Sequence, residues 1–217
     1  MVISAPPVPA AKLRRGYHVH DGFYLRMGAG LGGGRASIST DSDSPVSSPN
    51  FVVGGAGLGL NLWIGGTPWN GIAIGGMISG QGMGDGDVRV EGDRTDEGMQ
   101  GSVGMLGMFI DAFPDPQRGL HIGGALGLAG ISAQADSQEF EDDTGVGDFE
   151  SGGLGASAWV GYMGFVGAEW SLGGMLQLTG AVTRQEKDVD LPGGGSDTLI
   201  RGASAYAVTI SFTALYH

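Results

Sequence analysis

The chain has no cysteine. Disulfides and thiolate metal sites are therefore excluded, and the redox compartment is left open. Charge is scarce as well, with Asp, Glu, Lys and Arg together only 16% of residues, against roughly a quarter in ordinary soluble domains. The 11 basic residues are outnumbered by 23 acidic ones, for a net charge of −12. A phosphate backbone needs a basic surface, so nucleic acid is not an expected partner. No apolar run approaches the ~20 residues of a membrane-spanning helix. The opening "MVISAPPVPAAKLRRG" holds three prolines and no continuous apolar core. Residues 1–16 thus read as a Pro-rich lead or linker and not as a signal peptide, which an exported protein would have lost before this form.

Glycine, by contrast, is abundant at 45 of 217 residues, without the Gly-X-Y period of collagen. The stretch "GAGLGGG" places Gly28, Gly30 and Gly33 at the spacing of a dinucleotide-binding loop. That loop works only when a helix opens on it and carries the pyrophosphate at its N-terminus. Here "RASISTDSDSPVSSPN" follows, which has no helical apolar face. Similar runs return at Gly55–Asn61 and Gly124–Gly130. The glycines serve another purpose.

Apolar residues recur at every second position, the strand period. In "FVVGGAGLGLNLWI" one phase reads Leu58, Leu60, Leu62, Ile64 and the other Gly55, Gly57, Gly59, Asn61, Trp63. The same alternation marks eight segments, near 20–32, 51–64, 71–82, 99–110, 119–132, 153–164, 172–183 and 204–216. All nine prolines are expected outside them, since proline cannot donate to a ladder. Short connections ("GGTPWN", "DAFPDPQR", "FVGAEWS") alternate with long ones near 33–50, 83–98, 133–152 and 184–198. Those long connections hold two, six, seven and four of the 23 acidic residues. Aromatic residues gather at the other end: Trp69, Phe109, Phe113, Tyr162, Phe165, Trp170 and Tyr216 are expected to form a girdle beside the short turns.

Nearly charge-free strands between acidic loops and an aromatic girdle fit a sheet standing in hydrocarbon. Lipid offers the backbone no hydrogen bonds, so such a sheet must close on itself. The fold expected is all-β: an eight-stranded antiparallel up-and-down transmembrane β-barrel over residues 17–217. The last strand, "AYAVTISFTALYH", alternates apolar residues and reaches the aromatic Tyr216 before His217. With this architecture the chain resembles the small bacterial outer-membrane β-barrels, the OmpA/OmpX/OmpW-like group. The resemblance implies residence in the outer membrane, contact with lipopolysaccharide and short turns facing the periplasm. Its OmpW-like members imply a second possibility, a binder or conduit for small hydrophobic molecules.

Within such a barrel Arg26, Trp63, Met77, Met108, His121, Trp159 and Met175 are the expected lumen-lining or plugging residues. Gly55, Gly57, Gly59, Gly123, Ala125, Gly127, Gly153, Gly155, Ala205 and Ala207 leave the remaining wall with little bulk. The large residues are then expected to block the axis at mid-height, with water above and below. Arg26 needs a carboxylate or water, and Glu169, at a turn, is nearest in character.

Barrels of this size include lipid-modifying enzymes, but no spacing pairs His121 with a serine and an orienting acid. His18 and His20 lie in the lead-in. The expectation is a non-enzyme without a cofactor. Acidic runs such as Glu139, Glu141, Asp142 and Asp143 could meet divalent cations, yet they lack the EF-hand order. The leading functional expectation is a structural or surface-interaction protein. Beside it stand the hydrophobic conduit, a lipid-modifying enzyme, and a soluble ligand-holding barrel or Gly-rich adhesin.

Overall fold

Period-two alternation builds ten strands: β1 (Gly22–Thr40), β2 (Phe51–Trp69), β3 (Ile72–Met83), β4 (Val88–Val90), β5 (Asp93–Thr95), β6 (Met99–Ala112), β7 (Leu120–Ala135), β8 (Phe149–Phe165), β9 (Trp170–Asp190) and β10 (Ser196–Tyr216). The computed structural model describes residues 22–41, 49–84, 88–90, 93–95, 99–116, 118–135, 148–167, 169–190 and 196–216. The lead 1–16, His18, His20, His217 and the acidic residues Glu139 to Asp143 lie outside the described residues. Among those described there is no helix.

Eight strands form a closed antiparallel ring. The order runs β2-β3-β6-β7-β8-β9-β10-β1, and β1 closes it by pairing with β2. The short β4 pairs with β2 at Phe51–Val53, beyond the point where β3 leaves it, and β5 folds back on β4. Together they carry the β3–β6 hairpin further from the turn end.

Residues alternate between a lipid-facing and an axial side. Leu31, Leu58, Leu60, Leu106, Leu126, Leu154, Ile210 and Phe212 stand outward and exposed, Leu60 at 65%. The opposite phase is buried and stacks along the axis in three layers. Nearest the short turns lies an apolar cluster of Tyr24, Trp63, Met77, Phe109, Trp159 and Met175, among others. A polar belt follows, in which Thr209 donates to Gln81 Oε1 at 2.7 Å and Gln177 Nε2 donates to Ser157 Oγ at 2.9 Å. Toward the long loops a second apolar cluster includes Ile38, Phe51, Val53, Met83, Met99, Ile131 and Phe149.

Glycine lets the wall bend this tightly. Gly107 of β6 and Gly127 of β7 face one another in register. A Cβ on Gly107 would run into the Leu126 carbonyl oxygen, and one on Gly127 into that of Leu106. No other residue fits there without pushing the strands apart.

Three sequence expectations are corrected. The segments 33–50 and 184–198 are not simply loops, because β1 runs to Thr40, β9 to Asp190, and β10 begins at Ser196. In "RASIST" Ala36 and Ile38 are buried while Arg35, Ser37 and Ser39 are exposed, so the alternation continues in water with serine as its outer residue. Pro68 lies inside β2 and not outside the strands, at the register shift between Gly66 and Trp69. At such an irregularity its missing N–H is not required by the ladder. Met108 is not in the lumen: it is 68% exposed on the outer face, because Phe109 and Asp111 hold the inward phase of β6.

The assigned faces have a direct consequence. Leu60→Arg, at the centre of the apolar belt, should destabilise the barrel by ~2–4 kcal/mol. Ser39→Arg, also outward but beyond the belt, should cost about 0–1 kcal/mol, as expected near an interface. Urea unfolding in lipid vesicles measures both.

Candidate functional site

The turn-side layer is organised around one carboxylate. Asp111 ends the inward phase of β6 and is fully buried. Tyr24 Oη and Arg26 Nη1 each donate to its Oδ2 at 2.7 Å. Trp159 Nε1 donates to Oδ1 at 3.0 Å, and His121 Nδ1 lies 3.1 Å from the same oxygen. With Nδ1 protonated, His121 supplies the fourth donor and every lone-pair direction of the carboxylate is used. His121 Nδ1 is also 3.1 Å from Arg26 Nη1, so the other tautomer would accept from the guanidinium instead. Four strands (β1, β6, β7 and β8) are thereby tied together across the lumen.

Aromatic rings surround this hub. The Arg26 guanidinium carbon lies 3.9 Å from the Trp63 ring centroid and 5.2 Å from that of Trp159. Stacking on indole compensates a desolvated cation through the negative face of the ring. Trp63 and Trp159 meet edge to face at 5.7 Å, and Phe113 stacks on His121 at 5.3 Å. Among the described residues, Arg26 Nε and Nη2, Trp63 Nε1 and His121 Nε2 have no protein hydrogen-bond partner.

Of the lumen residues expected from sequence, Arg26, Trp63, Met77, His121, Trp159 and Met175 are buried on the axial side. They sit in the turn-side half, with the polar belt occupying the middle of the axis. Arg26 and His121 meet at Asp111, while Met77 and Met175 pack in the apolar layer around it. The partner of Arg26 is Asp111 and not Glu169, whose carboxylate is hydrogen-bonded to Tyr216 at the β8–β9 turn.

The girdle also needs correction. Phe109 (4% exposed) and Phe113 face the interior, because both share the phase of Asp111 and cover its charge cluster. Trp69, Tyr162 and Trp170 stand outward, with Phe165 and Tyr216 half-exposed at the rim. Phe23, outside the expected girdle, packs edge-on against Tyr216 at 6.4 Å and joins this ring of aromatics.

Asp111 and His121 form an acid–imidazole pair, but the acid is also bonded to Arg26 and the imidazole is capped by Phe113. Among the described residues no serine or threonine hydroxyl hydrogen-bonds to His121. No group of three His, Asp or Glu side chains suited to a metal ion is found there either.

A closed antiparallel ring with an aliphatic exterior and a packed, partly polar interior defines a transmembrane β-barrel. In fold the chain is similar to several solved proteins. One is Ail, the attachment invasion locus protein of Yersinia pestis, solved with the heparin analogue sucrose octasulfate (8% identity, TM-score 0.43, covering 88% of this chain and 99% of that one). Another is the outer membrane protein AlkL (10%, TM-score 0.48, 100% and 97%). A third is the outer membrane protease OmpT from Escherichia coli (10%, TM-score 0.45, 92% and 98%). No protein-family model and no curated protein matches the sequence. The ring and its apolar belt carry the assignment.

The hub predicts strong coupling. Asp111→Leu alone should destabilise the barrel by about 3–5 kcal/mol, because it strands the Arg26 charge in the interior. Combined with Arg26→Met the loss should shrink, as both charges are then gone. A double-mutant cycle by urea unfolding in vesicles reads the difference; additive losses would contradict a shared hub.

Proposed function

We propose that the protein is a bacterial outer-membrane barrel with a closed lumen, acting without catalysis as a structural or surface-interaction element. The observation that carries this reading is the Asp111 hub. Its five side chains come from four staves of the wall and hold Trp63 and Trp159 across the axis near the short turns. An eight-stranded barrel has an interior only wide enough for its own side chains or one small ligand. The second apolar cluster occupies the same narrow axis on the loop side.

The acidic end of the barrel faces the outside in this reading, and the Asn70–Gly71 turn faces the periplasm. That turn is tight, with Gly71 at φ 75°, a conformation glycine adopts at little cost. Short turns on the periplasmic side and longer connections outside are the usual arrangement of bacterial barrels. The outer end then presents carboxylates and hydroxyls to solvent or to a partner, with no deep cleft required.

Wild-type protein in planar bilayers should show no steady conductance, whereas Trp159→Ala, which removes both bulk and a donor to Asp111, should open a leak. A steady wild-type current would overturn the closed lumen and favour a conduit. Protease added to intact cells should cut within 136–147 and spare Asn70–Gly71; the reverse pattern would invert the orientation.

A further inference from the structure

Of the seven basic side chains among the described residues, four are accounted for by their surroundings. Arg26 is bonded to Asp111, Arg118 to Asp115, and Arg184 to Asp41 and Glu186. Arg201 is turned inward over the Phe51 ring. Lys187 is exposed on β9, and Arg35 and Arg89 share a single groove. Both arginines are exposed, and among the described residues neither has an ion-pair or hydrogen-bond partner.

The register brings these two arginines to one place on the outer wall. Arg35 of β1 lies between Tyr206 of β10 and Gly54 of β2. One rung further from the turns, Ser204, Ser37, Val52 and Arg89 form a row across β10, β1, β2 and β4. Arg94 of β5 is the register partner of Arg89. Arg35, Ser37, Ser39, Asn50 and Arg89 line a single groove of about 430 Å³ that contains no carboxylate among its lining residues. Two guanidinium groups in a groove with no carboxylate among its described lining residues repel each other unless an anion or water lies between them.

The height of the groove identifies the anion. Leu31 and Leu58 pair in register and mark the upper edge of the apolar belt, each 69% exposed. Four residues along β1 from Leu31, about 13 Å of strand, bring the chain to Arg35. Tyr206, exposed at 55%, stands beside Arg35 on the same face. Tyrosine and tryptophan favour the headgroup level, where an apolar ring and a polar tip are both solvated. The groove therefore opens sideways toward lipid headgroups and lies just above the aliphatic residues that acyl chains would cover.

We propose that Arg35 and Arg89, with the hydroxyls of Ser37, Ser39 and Ser204, form a binding shelf for the phosphate of an anionic outer-leaflet lipid. The guanidinium fork matches phosphate oxygens in paired, charge-assisted hydrogen bonds. The serine hydroxyls add neutral donors on the same face. The lipid's acyl chains run down past Leu31 and Leu58, which distinguishes it from a free phosphate. This inference rests on the outer-membrane reading above, since it requires the loop end to meet an anionic leaflet.

Native mass spectrometry of the full chain in zwitterionic detergent tests the shelf, with bisphosphorylated lipid A or phosphatidylcholine as the added lipid. Wild type should retain lipid A in preference to phosphatidylcholine, and Arg35→Gln/Arg89→Gln should lower lipid A retention by about tenfold or more, as expected for lost charged hydrogen bonds. Arg118→Gln, at the opposite rim, should retain it like wild type. The lysine pair Arg35→Lys/Arg89→Lys should fall between, keeping charge without the fork, and decides the matter if the glutamine pair does not fold. Equal retention by wild type and the folded Arg35/Arg89 variants would overturn the proposal, as would equal loss in Arg118→Gln. Displacement of lipid A by equimolar inorganic phosphate would overturn its lipid specificity. Failure of the outer-membrane reading would look different: the barrel would stay folded and monomeric without detergent.

Discussion

A backbone in hydrocarbon has no water to bond with, and every feature of this protein follows from satisfying it inside the wall. The pairing of β1 with both β2 and β10 removes the last sheet edge. Once the ring is closed, each strand has only two environments. The outer one rewards leucine and isoleucine; the inner one is too narrow for bulk on every stave. Glycine at Gly107 and Gly127, where even a methyl group would strike the neighbouring backbone, is the local cost of that curvature.

Closure also creates the site. Arg26 and Asp111 are 85 positions apart, and only the completed ring sets their side chains against one another. A buried ion pair is weak support for stability by itself, because desolvating two charges offsets much of their attraction. Here the carboxylate gains Tyr24, Trp159 and His121 as further donors, and the guanidinium gains an indole face. The cluster ties β1, β6, β7 and β8 to one another at the turn end.

Much of this was legible in the sequence and some was not, for physical reasons. Period-two alternation with Leu58, Leu60 and Leu62 in one phase settles the faces of β2 outright. Strand β6 is harder, since "MLGMFI" is apolar in both phases and gives no reason to send Phe109 inward and Met108 outward. The deciding residue is Asp111, which looks like the start of the turn "DAFPDPQR" until the ring shows it facing Arg26. Tyr24 was readable, two residues before Arg26 and in the same phase. The extension of β1 through Ser37 and Ser39 was hidden because serine outside the membrane serves a strand or a loop equally well. The hydrogen-bond geometry at His121 depends on four chain segments and has no local signature.

The strands that project past the apolar belt also act as a spacer. From Val182, the register partner of Ser204 and so at the headgroup level beside Arg35, β9 continues through Glu186 and Asp188 before it reaches Asp190. At ~3.3 Å per residue and a tilt near 40°, Glu186 stands about 10 Å and Asp188 about 15 Å above Val182. At physiological ionic strength the screening length is about 8 Å. The carboxylates at the tip are thus separated from the leaflet by roughly one to two screening lengths of rigid sheet. A protein of net charge −12 can therefore stand in a negatively charged leaflet with its outer acids largely screened from it, while any solute or surface approaching from outside meets the acidic tip first.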